Sequence, residues 1–443
     1  MSVALMLSAC TKPAPPASAH DVFEAGVSLL DTTYAGRSTV SIDEAARDGR
    51  RDLRGRCKGT PTECDPLVGY LVLNNVTDAL GDRHAALYAP DAWAARKDMR
   101  NLELEPVLSF GVSVYAVDAR RALVLDVEPG SPAHEAGLQP GDRLTNLNEL
   151  DGTEPDMRAA RTELFDDPPA VSLLVERGSA RKPQEFEVTL VRAKLRRLRL
   201  PVLYAPADAP RHVRVLRIPN FFGFRRIAPR VHALVRQAQR EGATSLIVDL
   251  RGGTGGQYIE CLVASGAIVG PVATNHDSRH GRSVREWTGW RVRIDDPTER
   301  TPPLWNRIRS PLYWAPYVVY PPARWTGATV VLVDEATASC HERMAFLLQR
   351  SGIPVLGVPT NGVIDTSVGL YPLPGGGVLQ VPDTRSLDAN GQVTAERITP
   401  NVRVVNDPRA FYFSGEDAML TAAYRHLERQ MRSSSERSQP GGP

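Results

Sequence analysis

The chain has 443 residues, 42% of them hydrophobic and 23% charged, with a formal net charge of +2. That length accommodates two or three domains, each able to bury its own core. The near-balanced charge gives no electrostatic footprint for nucleic acid, and beyond the N-terminus no apolar run approaches the length of a membrane span.

The first ten residues, "MSVALMLSAC", are apolar up to Cys10, and the Pro/Ala-rich "TKPAPPASA" follows. Leu7–Cys10 resembles the lipobox of bacterial lipoproteins, in which the cysteine is lipidated. The resemblance implies export, a lipid anchor at Cys10 on the membrane, and residence on the periplasmic side of a bacterial cell envelope. Residues 1–20 then form a signal and an extended tether. The apolar run is short and no Lys or Arg precedes it, so a start upstream of Met1 is expected.

Residues 21–103 predict a helical domain. In "YLVLNNVTDAL" the residues Leu73, Val76 and Leu80 recur at helical spacing. Cys57 and Cys64 bracket the turn-rich "KGTPTE", a loop that can close on itself, and export would permit a disulfide there. Residues 104–197 carry short strands such as "GVSVYAV" and "RALVLDV" separated by turn residues. Residues 198–430 alternate strands ("VRVLRI", "SLIVDL", "TVVLVD") with helical segments that close on Gly. That alternation predicts an α/β core within a multi-domain chain that is α+β overall. The segment between Gly270 and Trp325 is an insertion rich in Arg, Trp and Pro. Residues 431–443 read as a disordered tail.

The chemistry concentrates in "VLVDEATASCHE", Val331–Glu342. A β-branched strand ends in an acid, crosses small residues and reaches Ser339, and a helix-like segment follows. A serine on such a turn exposes its hydroxyl, and the amide of the next residue faces the same space, helped by the positive end of the helix. An N-cap serine after a buried strand would leave the same local pattern. Four other segments narrow the choice: "LGDRHAAL" (Leu80–Leu87), "GSPAHEAGLQPGD" (Gly130–Asp142), "LIVDLRGGTGG" (Leu246–Gly256) and "RITPNV" (Arg397–Val402). Together, and in this order, the five resemble the C-terminal processing peptidases and their tricorn-like relatives, the S41 serine peptidases. The resemblance implies a PDZ module at 104–197 and an α/β peptidase core of the ClpP/crotonase kind at 198–430.

It also implies roles. Ser339 falls on the nucleophile position. The amide of Cys340, with one from Gly255 or Gly256, would form the oxyanion hole. Processing peptidases take their base from a lysine in a later segment, but here that segment is "TNGVIDTS" (Thr360–Ser367), with Val363 at the lysine position and Ser367 at the glutamine position. A Ser–Lys dyad is therefore not carried over. In the tricorn-like enzymes a histidine from an earlier domain activates the serine, and His84 matches it. Asp365 is the first choice for the acid that orients His84, ahead of Glu342 and Asp82. His341 starts the same helix as Ser339 and should point away from the hydroxyl. Cys261 and Cys340 fall near the expected site, at a spacing wrong for zinc, and neither a metal nor a cofactor is implied. A PDZ module adds an extended peptide as a strand, with the carboxylate loop at Phe110, Gly111 and Val112. Protein or peptide substrates are the expected partners, with no nucleic acid, and a homo-oligomer is left open. The expected function is a lipid-anchored periplasmic serine endopeptidase acting on unstructured or C-terminal protein segments. The alternative is a catalytically inactive relative that binds peptides or serves as a scaffold.

Overall fold

Ser18 opens the first helix, Ala19–Thr33, through a reciprocal pair of bonds with Asp21: the Asp21 amide donates to the serine hydroxyl and the Ser18 amide to the aspartate, at 2.8 Å. Helices Ile42–Arg56 and Pro66–Ala79 follow, capped by the side chains of Ser41 and Asp65. Their apolar faces meet at Phe23, Leu30, Leu53, Leu73 and Leu80, all buried. The Cys57–Cys64 disulfide closes the loop between the second and third helices. The structure is a computed structural model. It describes residues 17–58, 64–94, 107–118, 121–145, 170–178, 182–195, 200–206, 209–296, 315–388 and 390–437.

The chain divides into two units, residues 1–96 with 366–385, and residues 97–365 with 386–443. In the first, strand β1 (Ala86–Tyr88) pairs antiparallel with β18 (Val378–Leu387), which pairs in turn with β17 (Thr366–Pro372). Leu373, Leu379 and Val381 of this hairpin complete the core of the three helices. Residues 366–385 fall within the expected 198–430 core in sequence, and their apolar side chains are buried with those of the N-terminal helices.

The second unit contains a five-stranded antiparallel sheet in the order β3 (Val112–Asp118), β4 (Arg121–Val127), β5 (Arg143–Thr145), β6 (Ala170–Arg177), β7 (Gln184–Val191). The short strands β2 (Val107–Ser109) and β8 (Ala193–Leu195) pair with each other. Alternation sends Val114, Val124, Leu144, Leu173 and Leu190 to one face as a core. On the opposite side Val117 and Leu123 pack against Tyr412, which belongs to the helix Pro408–Ser414.

The same unit holds the α/β sheet. Strands β9 (Val202–Tyr204), β10 (Val213–Arg217), β11 (Ser245–Asp249), β15 (Ala328–Val333), β16 (Val355–Gly357) and β19 (Val402–Arg403) run in the order β19-β16-β15-β11-β10-β9. All neighbours are parallel except β9 with β10. Both faces are covered, so the central strands β11 and β15 are largely apolar, SLIVD and ATVVLV. Leu246, Val248, Val331 and Val333 point towards the helices Ile227–Arg240, Tyr258–Val269 and Cys340–Arg350. Ile247, Val330 and Leu332 point towards Met419, Ala423 and Leu427 of the last helix. That helix runs Ala418–Arg437, so the expected tail at 431–443 begins as helix, and only residues 438–443 lie outside the description. The insertion forms an antiparallel meander of β12 (Val272–Ser278), β13 (Gly281–Trp287) and β14 (Val292–Asp295). Its Trp287 is fully buried against Gly266, where an added Cβ would come within 2.1 Å of the indole. Among the described residues no helix is long and apolar enough to cross a membrane.

Candidate active site

Strands β11 and β15 are adjacent and parallel, with Asp249 opposite Leu332. The segments that leave their C-terminal ends, 250–257 and 334–339, therefore emerge side by side, as ligand-binding loops do in open α/β sheets. Backbone bonds join the two. The Gly252 amide donates to Asp334 Oδ1 at 2.8 Å, and the Ala338 amide to the Gly253 carbonyl at 2.8 Å. Beneath the first segment, Asp249 bonds Arg217 at 3.1 Å and Arg251 at 2.8 Å. Burial alone would raise its pKa, but the two guanidiniums outweigh burial and hold the carboxyl well below the usual carboxylate range.

Ser339 ends the second segment at the N-terminus of the helix Cys340–Arg350, with φ 55° and ψ −116°. A non-glycine residue pays a steric penalty at positive φ and holds that conformation only where its surroundings enforce it. A serine strained on a strand-to-helix turn, partly exposed, is the arrangement that presents a nucleophilic hydroxyl. Gly255 lies against it: a Cβ on Gly255 would sit 2.8 Å from Ser339 Cβ and 3.2 Å from Oγ. The position therefore requires glycine twice over, for space and for its own φ of 104°.

Glu342 holds the turn. Its buried carboxylate accepts from the Ser339 amide at 2.8 Å, the Thr360 hydroxyl at 2.5 Å, the Gly362 amide at 2.8 Å and the Val363 amide at 3.1 Å. Burial raises its pKa against these four bonds. Glu342 thus ties the serine turn to the segment 360–363, and its oxygens are committed to that work rather than to orienting a histidine. Val363, at the lysine position of the processing peptidases, is buried and contributes only its amide here.

The two glycines expected at the oxyanion hole differ. The Gly255 amide donates to His341 Nδ1 at 3.1 Å, so it is engaged. The Gly256 carbonyl accepts from Cys340 Sγ at 3.2 Å. Cys340 is the first residue of its helix, where the amide has no partner within the helix. Cys261 and Cys340 are free, buried thiols in hydrogen-bond contact, and burial pushes the Cys261 thiol up. His341 is fully buried, as its place on the helix requires, and its Nε2 bonds the Ile218 carbonyl at 3.0 Å.

His84 belongs to the other unit. It is buried at 8% exposure, and its Nδ1 lies 2.8 Å from the Thr366 hydroxyl. Its amide donates to Asp82 Oδ1 at 2.9 Å, and its carbonyl accepts from Gln380 at 2.8 Å. In the tautomer whose Nδ1–H donates to Thr366, Nε2 is the acceptor nitrogen of the ring. Asp82 organises the surrounding turns: Tyr34 and the Arg37 amide donate to its other oxygen at 2.8 and 3.1 Å. Asp365 is buried, precedes Thr366 in the chain, and accepts the Ser386 amide on its carbonyl at 2.7 Å. Thr366, which the sequence did not single out, is the ring partner of His84 within this unit.

In the five-stranded sheet Phe110 is buried and its carbonyl accepts from the Ala133 amide at 3.0 Å. Gly111 takes φ 71°, and a Cβ there would strike Ser131 at 2.1 Å. Val112 begins β3, the edge strand, opposite Val127. The order of the described strands leaves β3 paired on one side, the geometry that accepts an added peptide strand. A cleft of about 240 Å³ lies between this sheet and the α/β core, lined by Tyr115, Asp126, Arg217, Asp334 and Phe411 among others. Ser339 is not in its lining. Cys10 lies outside the described residues.

Three buried histidines give the unit a pH signature. Burial pushes His232 down to about 4, His276 to about 2 and His341 to about 3. Each is neutral in the folded chain and takes up a proton on unfolding below its ordinary value of about 6.5. The unfolded state then binds more protons, so stability falls as pH drops from about 6.5 towards these lowered values, by about 1.4 kcal/mol per pH unit for each proton. Burial raises Glu260 and Glu342, which oppose the trend as pH nears the carboxylate range. Urea unfolding at stepped pH should show the loss, and His232→Gln should reduce its slope by about one proton. An unchanged slope would contradict this assignment.

The peptidase family S41 model matches residues 212–404. A PDZ-domain model matches residues 123–150. The tail-specific protease of Haemophilus influenzae is 26% identical over 313 residues, 68% of this chain and 39% of that protein. The chain thus aligns with well under half the length of this curated relative. Among solved structures, a Bacteroides fragilis protein assigned to the S41 proteases superposes with a TM-score of 0.56 at 16% identity, over 91% of this chain and 97% of that one. The photosystem II D1 C-terminal processing protease gives 0.49 at 18% identity, over 93% and 97%. Residues 212–404 thus carry a peptidase family S41 domain, with a PDZ domain matched at residues 123–150 ahead of it.

Proposed function

We propose that this chain is a serine endopeptidase that cleaves unstructured or C-terminal segments of proteins, with Ser339 as nucleophile and His84 as general base. The observation that carries the proposal is the strained Ser339 at a helix N-terminus, pressed against Gly255. The base takes the serine proton as the hydroxyl attacks the peptide carbonyl, and returns it to the leaving amine. The Gly256 and Cys340 amides are assigned to the developing oxyanion. Thr366 holds the His84 ring through Nδ1, and Asp365, the residue before Thr366 in the chain, is proposed to favour the imidazolium through its charge. Peptide enters as an added strand along β3, with its terminal carboxylate at Phe110–Val112.

Digestion of an unfolded protein such as casein tests the proposal. Cleavage should rise with pH through the range in which a histidine loses its proton. Thr366→Val should lower kcat about tenfold by freeing the ring, since a positioned base is worth about 10² to 10⁴ in rate. A chain that cleaves no unfolded substrate would favour the peptide-binding alternative, which Val363 at the lysine position already recommends.

We also propose that the chain is exported and lipidated at Cys10, on the periplasmic side of the envelope. The Cys57–Cys64 disulfide supports an oxidising compartment. Labelling with a fatty-acid analogue should mark the wild type and spare Cys10→Ser, and equal labelling of the two would refute it.

A further inference from the structure

We propose that His341 is a positioning residue that fixes the direction of the Gly256 amide by clamping the peptide plane before it. This rests on Ser339 being the nucleophile and goes beyond it, because it assigns a role to a side chain the reaction does not touch.

The peptide that carries the Gly256 amide also carries the Gly255 carbonyl, and a trans peptide points the two in opposite directions. The Phe221 amide donates to that carbonyl at 2.9 Å. The preceding peptide carries the Gly255 amide, and this is the group His341 Nδ1 accepts at 3.1 Å. Both planes flanking the Gly255 Cα are therefore held, one by Phe221 and one by His341. Glycine at φ 104° has little intrinsic preference to keep them there. Gly256 itself is pinned on the Phe221 backbone, 2.3 Å from an added Cβ, and the Gln257 amide closes the loop onto the Phe221 carbonyl at 3.0 Å.

Only a side chain with one acceptor and one donor on opposite sides satisfies this site. Nδ1 faces the Gly255 amide, and Nε2 faces the Ile218 carbonyl at 3.0 Å. The Nε2–H tautomer supplies both, whereas an imidazolium would set a proton against the Gly255 N–H. The ring is fully buried, packs tilted against Phe221 with ring centroids 4.6 Å apart, and fills the space a Cβ on Gly253 would need, 2.1 Å from Cδ2. An aliphatic residue would leave two buried backbone groups without partners.

The full chain, labelled with nitrogen-15 in histidine and glycine, tests this. In the wild type His341 should show a protonated Nε2 and a bare Nδ1, unchanged between about pH 5 and 8. His341→Leu should speed hydrogen exchange of the Gly255 amide at least about tenfold. It should also lower kcat about 10²-fold with KM little changed, as misplacement of a catalytic group does. His341→Gln, which keeps one acceptor and one donor, should recover most of both. A protonated Nδ1 in the wild type, unaltered Gly255 exchange in His341→Leu, or a glutamine variant no better than leucine would each overturn the proposal. If the leucine variant does not fold, the wild-type tautomer and the glutamine variant decide it. A wild type with the expected tautomer and a protected Gly255 amide but no cleavage would defeat the peptidase assignment and leave the clamp standing.

Discussion

Ser339→Ala should abolish cleavage of unfolded protein, a loss of about 10⁴-fold or more in kcat, with the melting temperature nearly unchanged. The hydroxyl is partly exposed and the helix start is held by Glu342 through the Ser339 amide, which alanine retains. His84→Ala should lose activity to a similar degree, and the double variant should be no worse than the single ones, because nucleophile and base act as one unit. Ser339→Gly separates strain from chemistry. Glycine accepts φ 55° without penalty, so that variant should be inactive yet more stable by about 1 kcal/mol. Thermal melts beside casein digestion read both effects. A fully active His84→Ala would remove the base assignment, and a Ser339→Gly no more stable than Ser339→Ala would remove the claim of strain.

Glu342→Ala should be the most destabilising single change near the site. It strips a buried carboxylate from four donors, the Ser339, Gly362 and Val363 amides and the Thr360 hydroxyl. Unpaired buried donors of this kind cost about 1–3 kcal/mol each before relaxation, so a loss of about 3–5 kcal/mol is expected once the site adjusts. Activity should vanish even at temperatures where the variant is folded, since nothing else described ties the Ser339 amide to the segment 360–363. Glu342→Gln keeps the shape but brings an NH₂ against some of the donors, so it should fall between. A Glu342→Ala chain that cleaves at the wild-type rate would show that the turn is rigid without its carboxylate.

The Ser339 turn and the glycine loop are legible in the sequence because their signal is local. A β-branched strand, a short run of small residues and a helix start lie within twelve residues around Ser339, and the parallel pairing of β11 with β15 then brings the glycine loop beside them. The roles that escaped notice are long-range. The bond between His341 and Gly255 spans 86 residues, and that between His84 and Thr366 spans 282. No spacing pattern encodes either. Glu342 was weighed as an acid for His84, but its neighbours became visible only when the segment 360–363 was folded against it. Strand pattern does not reveal which surface the hairpin 366–385 covers, and its apolar residues pack on the N-terminal helices. The last helix outran its expected end. Its buried face near Met419, Ala423 and Leu427 nucleates it, and the following Ser, Glu and Arg residues propagate it at little cost.

The proposed mechanism requires His84 to activate Ser339. A fluorophosphonate probe followed by peptide mapping tests that without any knowledge of the natural substrate, because phosphonylation needs an activated serine. The wild type should carry the adduct on the peptide containing Ser339, Ser339→Ala should carry none, and His84→Ala should react far more slowly. Equal labelling of Ser339 in the wild type and in His84→Ala would contradict the account, as would a wild type in which the probe leaves Ser339 unmodified.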